Sequence, residues 1–368
     1  MDWLLFTWYC WLGLASTSLI IILIQAIVIL RYRPQINAVP IPVSIVVAAR
    51  NEAEKLPTLI ESIMNQKHGH FDLQIVLDRC TDDSLEIMKR LEARYENLKT
   101  IIVDYLPEHF SPKKFALTLG IKGAKQECVL LTDADCLPTG ENWVSSMSSV
   151  FDNSTNFVLG YSPYNKTSGW LNRVIDYETF ITGFNYISNT LLGSPSMAVG
   201  RNIVIRKSFF LSINGYNKYQ HIQGGDDDLL IQHHASKKFT RVMWVPESQT
   251  SSPAKTNWSD YYFQKIRHFS VGKYYKRTSK LSHSINWIIN LLLWVSFFIL
   301  AILSLDFYPL YIGFFLYHFM KGLTYWLVKR RMSNGYSTWS FLILELVQLV
   351  LTPVFVIGAR VTTKVKWK

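Results

Sequence analysis

The chain has 368 residues, of which 49% are hydrophobic and 14% aromatic, and its formal net charge is +11. This length allows one sizeable soluble domain together with membrane segments. The basic residues cluster beside apolar segments, where anionic lipid headgroups explain them, so the charge does not predict nucleic-acid binding. The four cysteines form no C-x-x-C pair, which argues against a zinc site or a disulfide framework.

The N-terminal segment is apolar and uncharged from Trp3 to Leu30. It is long enough to span the ~30 Å hydrocarbon layer of a bilayer. Arg31 and Arg33 follow it directly, and basic residues favour the cytoplasmic side of a membrane. The pattern predicts an uncleaved transmembrane anchor over residues 1–33, with the next domain in the cytoplasm.

Residues 41–255 alternate between strand-like and helix-like patterns. The predicted strands are Val43–Ala49, Leu73–Leu77, Thr100–Asp104 and Cys128–Thr132, and the predicted helices are Glu52–Gln66, Asp82–Asn97 and Lys113–Lys125. This alternation predicts an α/β domain with a mostly parallel sheet. Ligands of such sheets bind beyond the carboxyl ends of the strands, where this chain has polar residues after the first, second and fourth strands.

The fourth predicted strand ends in the sequence CVLLTDADC, which places Asp133 and Asp135 on one face of the chain. Two carboxylates on one face repel each other unless a positive group lies between them. A divalent cation with oxygen ligands satisfies that need. A solvated turn after the strand is the alternative interpretation.

The C-terminal part returns to membrane-like composition. Residues 256–282 are rich in Lys, Arg and Tyr, which is typical of a juxtamembrane interfacial segment. Within 283–359 lie three apolar segments, Ile285–Leu303, Phe307–Val328 and Phe341–Ala359, followed by a basic tail over 360–368. The last segment is interrupted by Glu345, Gln348 and Pro353. We therefore expect it to be re-entrant or interfacial, which leaves the C-terminus in the cytoplasm.

Six short segments in a fixed order, VSIVVAARNE, IVLDRCTDDS, KKFALTLGI, LLTDADC, GGDDDLLI and QKIRH, resemble a membrane-anchored family 2 glycosyltransferase with the GT-A fold. The resemblance covers roughly residues 41–280. It implies an inverting enzyme that is a multi-pass protein of the cell membrane and uses Mg²⁺ or Mn²⁺. Such an enzyme moves a sugar from a UDP- or GDP-type donor to a lipid-linked or glycan acceptor at the cytoplasmic face.

The resemblance also implies roles for individual residues. The metal ligands are Asp135, the first choice, and Asp133. The donor is expected to contact Ala48, Arg50, Glu52, Asp78, Lys113, Asp133 and Gln264. Arg201 and Asn202 are candidates for binding acceptor hydroxyls, with an ordinary turn into a strand as the alternative.

The catalytic group is expected in the sequence GGDDD, at the start of a helix predicted over Asp226–Ala235. Asp226 aligns with the general base of the family, and Asp227 is the alternative if the register differs by one residue. Asp228 is expected to cap or brace the helix. Arg267 is expected to add positive charge to the donor phosphates, with contact to lipid headgroups as the alternative.

Four positions depart from the family pattern and keep other functions open. Leu77 replaces an acid, Thr118 replaces an asparagine, Gly225 replaces a glutamate, and His268 replaces a tryptophan. The last two departures put a processive polysaccharide synthase in doubt. A membrane protein that binds nucleotide-sugar without turnover, and a transporter, are the remaining alternatives. A transporter would require more charged residues within its membrane spans than this chain provides.

Overall fold

The structure is a computed structural model that describes residues 2–37, 39–332 and 340–362. Its strands are β1 (Val43–Ala49), β2 (Phe71–Asp78), β3 (Leu98–Val103), β4 (Cys128–Asp133), β5 (Leu137–Pro138), β6 (Phe157–Leu159), β7 (Ile203–Arg206), β8 (Thr240–Val242) and β9 (Thr250–Ser251). Its helices are α1 (Asp2–Arg31), α2 (Leu56–Met64), α3 (Ser84–Arg94), α4 (Pro112–Gly123), α5 (Trp143–Ser148), α6 (Trp170–Leu192), α7 (Lys207–Ser212), α8 (Asp228–His234), α9 (Trp258–Val271), α10 (Arg277–Leu303), α11 (Tyr308–Met332) and α12 (Phe341–Val361).

The soluble domain is built on a sheet with the strand order β3-β2-β1-β4-β7-β6-β8. Strands β1 to β4 run parallel, and β7 pairs with β4 and β6 in the antiparallel sense. All seven residues of β1 are buried, as expected for a central strand that helices cover on both faces. The predicted α/β class with a mostly parallel sheet is confirmed.

The predicted elements of the first half are present, but their ends differ. The four strands begin and end within two residues of the prediction. β1, β2 and β4 are nearly continuous buried runs, whereas the edge strand β3 is buried only at Leu98 and Val103. Helices α2 and α3 are shorter than predicted. The chain before α2 instead forms a turn in which the Glu52 carbonyl accepts the Lys55 and Leu56 backbone N–H groups at 2.9 and 3.0 Å.

Among the described residues, three helices are long and apolar enough to cross a membrane: α1, α10 and α12. The predicted span Phe307–Val328 forms α11, but several tyrosines, His318 and Lys321 make this helix less apolar than the other three. Helix α11 packs against both α1 and α10. Aromatic rings fill the centre of this three-helix bundle, among them Trp8, Trp11, Trp294 and Phe314.

Helix α12 contacts the soluble domain at both of its ends. Near its start the ring of Phe341 lies 5.9 Å from the ring of Tyr177 on α6. Near its end a Cβ atom at Gly358 would lie 2.7 Å from the Tyr262 hydroxyl of α9. The helix therefore runs along the domain. The predicted basic tail is described only as far as Thr362, so its three lysines lie outside the described residues.

Candidate active site

The carboxyl ends of β1 and β4 lie side by side at the edge of the sheet, with Ala48 paired to Asp133. Ligand atoms of Asp133, Asp135 and Cys136 all lie within 4.8 Å of one another. Both aspartates are half-buried, and one oxygen of Asp135 accepts a hydrogen bond from the Cys136 thiol at 3.5 Å. Two carboxylates this close fit the oxygen-ligand preference of Mg²⁺ or Mn²⁺. The residues that were predicted as metal ligands are thus brought together.

Lys113, near the start of α4, joins the two acidic parts of the site. Its Nζ lies 2.8 Å from Asp133 Oδ1 and 3.1 Å from Asp226 Oδ2. Burial alone would lower the pKa of Lys113, but the two carboxylates outweigh burial and raise that pKa. One ammonium group therefore forms ion pairs with both the acid that ends β4 and the predicted general base.

Asp226 is buried at the end of a loop that contains Gly224 and Gly225. Both glycines have positive φ, at +78° and +67°, a conformation that other residues rarely adopt. Burial alone would raise the pKa of Asp226, but the nearby Lys113 and Lys114 hold that pKa below its usual value. Asp226 is therefore a carboxylate at neutral pH, which is the state that a general base requires.

The two following acids have structural partners. Asp227 accepts the Gly200 N–H at 2.6 Å and the Asp228 N–H at 2.8 Å, and so caps the N-terminus of α8. Burial and the charge of Asp226 raise the pKa of Asp227 to about 6. Asp228 braces the helix by accepting a hydrogen bond from the Tyr275 hydroxyl. Of the three acids, only Asp226 forms an ion pair with Lys113. Helix α8 begins two residues later than predicted, because the chain up to Asp227 belongs to the glycine loop.

The loops after β1 and β2 form the rest of this edge. Ala48 is buried, Arg50 is half-buried, and Glu52 is 8% exposed and pairs with Lys55 at 2.5 Å. Asp78 was predicted to contact the donor nucleotide, but its side chain is fully buried. Both of its oxygens accept hydrogen bonds from the Arg79 guanidinium, at 2.8 and 2.9 Å.

Arg201 and Gln264 are linked through one tyrosine. The Arg201 guanidinium lies 4.2 Å from the ring centre of Tyr164, in cation–π geometry, and donates to the Ser162 carbonyl at 2.6 Å. The Tyr164 hydroxyl accepts a hydrogen bond from the Gln264 amide at 3.2 Å. Arg201, predicted to bind the acceptor sugar, and Gln264, predicted to bind the nucleotide-sugar donor, are thereby joined into one wall of the site.

Asn202 does not lie where an acceptor could reach it. Its side chain is fully buried, and its Nδ2 donates to the carbonyls of Tyr161 and Ser248 at 2.9 and 2.8 Å. Its Oδ1 accepts a hydrogen bond from the Trp143 indole at 3.0 Å. Because the amide is engaged on both sides, the predicted sugar contact is replaced by a structural role.

Helix α9 carries Gln264 and, one turn further on, Arg267. The helix is fixed to α6 through Glu178, which accepts hydrogen bonds from the Tyr261 hydroxyl at 2.7 Å and Lys265 Nζ at 2.5 Å. In the described part of the chain the Arg267 guanidinium has no hydrogen bond or ion pair to another side chain. It is therefore available to an anionic ligand.

Lys114 has a role that its sequence context did not predict. Its side chain is fully buried, and its Nζ donates to the Ile222 and Gly224 carbonyls at 2.6 and 2.5 Å. Burial lowers the pKa of Lys114 to about 8. Lys114 therefore holds the loop that leads to Asp226. The only sequence signal was a second lysine beside Lys113, and nothing in the local pattern distinguishes a buried lysine from an exposed one.

These features define a class of protein. The mixed sheet, the acid pair after β4 and the membrane helices are those of a membrane-associated enzyme with a GT-A nucleotide-sugar fold. Residues 44–213, which hold most of the sheet and the acid pair, match the family model described as glycosyl transferase family 2.

One solved structure has a similar fold. The mannosyltransferase PcManGT from Pyrobaculum calidifontis, solved with GDP-Man and Mn²⁺, aligns over 97% of this chain and 96% of its own, with a TM-score of 0.56 and 14% identity. TarS from S. aureus aligns over 63% of this chain and 39% of its own, with a TM-score of 0.42 and 15% identity, too low to establish a shared fold. A comparison with curated proteins gave no match.

Proposed function

We propose that the protein is an inverting glycosyltransferase that moves a sugar from a nucleoside-diphosphate donor to a membrane-associated lipid or glycan acceptor. The observation that carries this proposal is the position of Lys113 between Asp133 and Asp226. It supports a site in which the donor-binding acid and the base lie on either side of one cation.

Each group has a chemical task in this proposal. Asp226 accepts the proton of the acceptor hydroxyl as that oxygen attacks the anomeric carbon from the side opposite the leaving group. Asp135 and Asp133 would hold Mg²⁺ or Mn²⁺, which when bound offsets the charge of the leaving diphosphate. Lys113 and Arg267 supply fixed positive charge to the same phosphates. Tyr164 keeps Arg201 and Gln264 at the wall of the site.

The membrane arrangement supports catalysis at the cytoplasmic face. The basic residues Arg31 and Arg33 follow α1, and three more basic residues end α11 at 329–331. Because basic residues favour the cytoplasmic side of a bilayer, they support a cytoplasmic position for both helix ends and for the domain between them. Because α12 contacts the domain at both ends, we infer that it lies along the inner leaflet, as an interfacial helix.

The test is a donor screen with the full-length protein in detergent. Release of nucleoside diphosphate is measured for a panel of UDP- and GDP-sugars, with a membrane lipid extract as the acceptor source. Asp226→Asn is expected to lower turnover by about a hundredfold or more while nucleotide binding survives. Asp104→Asn, an exposed acid that follows β3, is the matched control.

The stereochemistry is tested separately. NMR of the first product should show an anomeric configuration opposite to that of the donor. A retained configuration would exclude the single displacement that we propose. Nucleotide binding without any turnover would favour the non-catalytic alternative.

A further inference from the structure

A charged pair is buried among the apolar helices, far along the chain from the candidate site. Lys321 of α11 and Glu345 of α12 are 3% and 5% exposed, and Lys321 Nζ lies 2.5 Å from Glu345 Oε1. Lys321 also donates to the Asn290 amide oxygen of α10 at 2.7 Å. Charged groups in such apolar surroundings are costly and are rarely kept without a function.

The network extends to every helix of the bundle. The Tyr317 hydroxyl lies 3.4 Å from Lys321 Nζ and 2.9 Å from the Ser18 hydroxyl of α1. Glu345 is the only acid in α12 and stands in its second turn. The Lys321–Glu345 ion pair thus connects the first half of α12 to the bundle formed by α1, α10 and α11.

The second half of α12 packs on the helix that carries Gln264 and Arg267. The Phe355 ring lies 5.7 Å from Tyr261 and 5.9 Å from Phe269, both on α9. At Gly358, a Cβ atom would lie 3.2 Å from Ile266 Cγ1. The two helices therefore approach each other closely at this position.

The outer face of α12 is apolar and exposed, with Ile343, Val350, Val354 and Ile357 each at least 43% exposed. Van der Waals contact with lipid alone would not fix the rotation or the position of the helix. A single buried ion pair does so, because it is satisfied in only one arrangement.

We propose that the Lys321–Glu345 pair is a latch that fixes α12 against α9 and thereby positions Gln264 and Arg267 for sugar transfer. Lys321 and Glu345 are positioning residues, since neither reaches the candidate site. The inference rests on the proposed function for its kinetic readout, but its structural readout is independent of activity. It also explains the charge in α12 without a transport function.

The first experiment breaks the pair in the full-length protein. Lys321→Met and Glu345→Gln are each expected to lower kcat by about tenfold to a hundredfold, the scale expected when groups at a site are misplaced by about 1 Å. The donor KM should change by less than about threefold, because Asp133, Asp135 and Lys113 are untouched. The exchanged double variant, Lys321→Glu with Glu345→Lys, should recover most of the lost rate. Lys280→Met, an exposed lysine on α10, is the control.

The second experiment replaces the latch with a covalent bond. A Cβ atom at position 358 would lie 3.2 Å from the Cγ1 position of Ile266, which the sulfur of Ile266→Cys can occupy, so Ile266→Cys with Gly358→Cys can form a disulfide. In this double-cysteine protein, Lys321→Met should slow disulfide formation, measured by mass spectrometry, whether or not the protein is active. Once the disulfide has formed it should restore the rate, and reduction should abolish the rescue.

Two results would contradict the proposal that the Lys321–Glu345 pair fixes α12 against α9. One is full activity and unchanged disulfide formation in both single variants. The other is a disulfide that forms completely in Lys321→Met without any recovery of kcat. If the native protein transfers no sugar but Lys321→Met still slows disulfide formation, the proposed function fails while the latch itself stands.

Discussion

Removal of the Lys113 charge should move the acid limb of the pH–rate profile to higher pH. Lys113 Nζ lies 3.1 Å from Asp226 Oδ2. At an effective dielectric constant of about 20, charges at that distance interact by roughly 5 kcal/mol. At 1.36 kcal/mol for each pKa unit this corresponds to about 4 units as an upper limit. Lys114 remains nearby and water can enter, so we expect the pKa of Asp226 to rise by about 1–3 units in Lys113→Met.

The assay is kcat/KM between pH 5 and pH 9, since this ratio reports the ionisation of the free enzyme. The native acid limb should lie at low pH, because the folded protein holds the pKa of Asp226 below its usual value. In Lys113→Met the limb should move upwards, and activity should recover as the pH rises. Lys122→Met, an exposed lysine on the same helix, should leave the profile unchanged. A profile that keeps its acid limb and only loses height would refute the reasoning, since Lys113 would then act on the donor alone.

Three further outcomes are expected. EDTA should abolish transfer and added Mn²⁺ should restore it, while Asp135→Ala stays folded but inactive; full activity in chelator would contradict the metal assignment. Asn202→Leu should lower the free energy of unfolding by about 1–3 kcal/mol for each buried partner left unpaired, including the Trp143 indole, with an unchanged acceptor KM; a raised KM in a stable protein would restore the predicted sugar contact. Arg79→Met should destabilise the fold by about 3–5 kcal/mol, because it leaves Asp78 as a buried and uncompensated charge; thermal unfolding within a degree of the native protein would show that Asp78 is not held by Arg79.

The strands and the acid pair could be predicted because their signals are local. A buried parallel strand is a continuous apolar run, and β4 ends one residue beyond the prediction, at Asp133 itself. The limits of α2 and α8 were less predictable. Backbone hydrogen bonds and glycines with positive φ, which periodicity does not report, decide where these helices begin.

The roles of several polar residues could not be predicted, because they depend on partners that are distant in the chain. Asn202 forms hydrogen bonds with residues 41 to 59 positions away in the chain. Its side chain therefore stabilises the core, although it was expected to bind a ligand. Lys114 bonds to carbonyls more than a hundred positions away. Spacing along the sequence cannot distinguish such residues from ligand-binding ones. Their hydrogen-bond partners become known only once the sheet and the loops are assembled.

The contact between Asp228 and Tyr275 bears on how the enzyme can be divided. Tyr275 stands two residues before α10, and its neighbours Lys276 and Ser279 both donate to the Gln232 side chain of α8, at 3.3 and 3.1 Å. The first residues of a membrane helix thus support the helix that follows the base. A fragment of residues 40–271, without the membrane helices, would retain every donor-binding residue of the predicted site. It would lose the support of its base, and we expect it to bind nucleotide but to transfer sugar poorly.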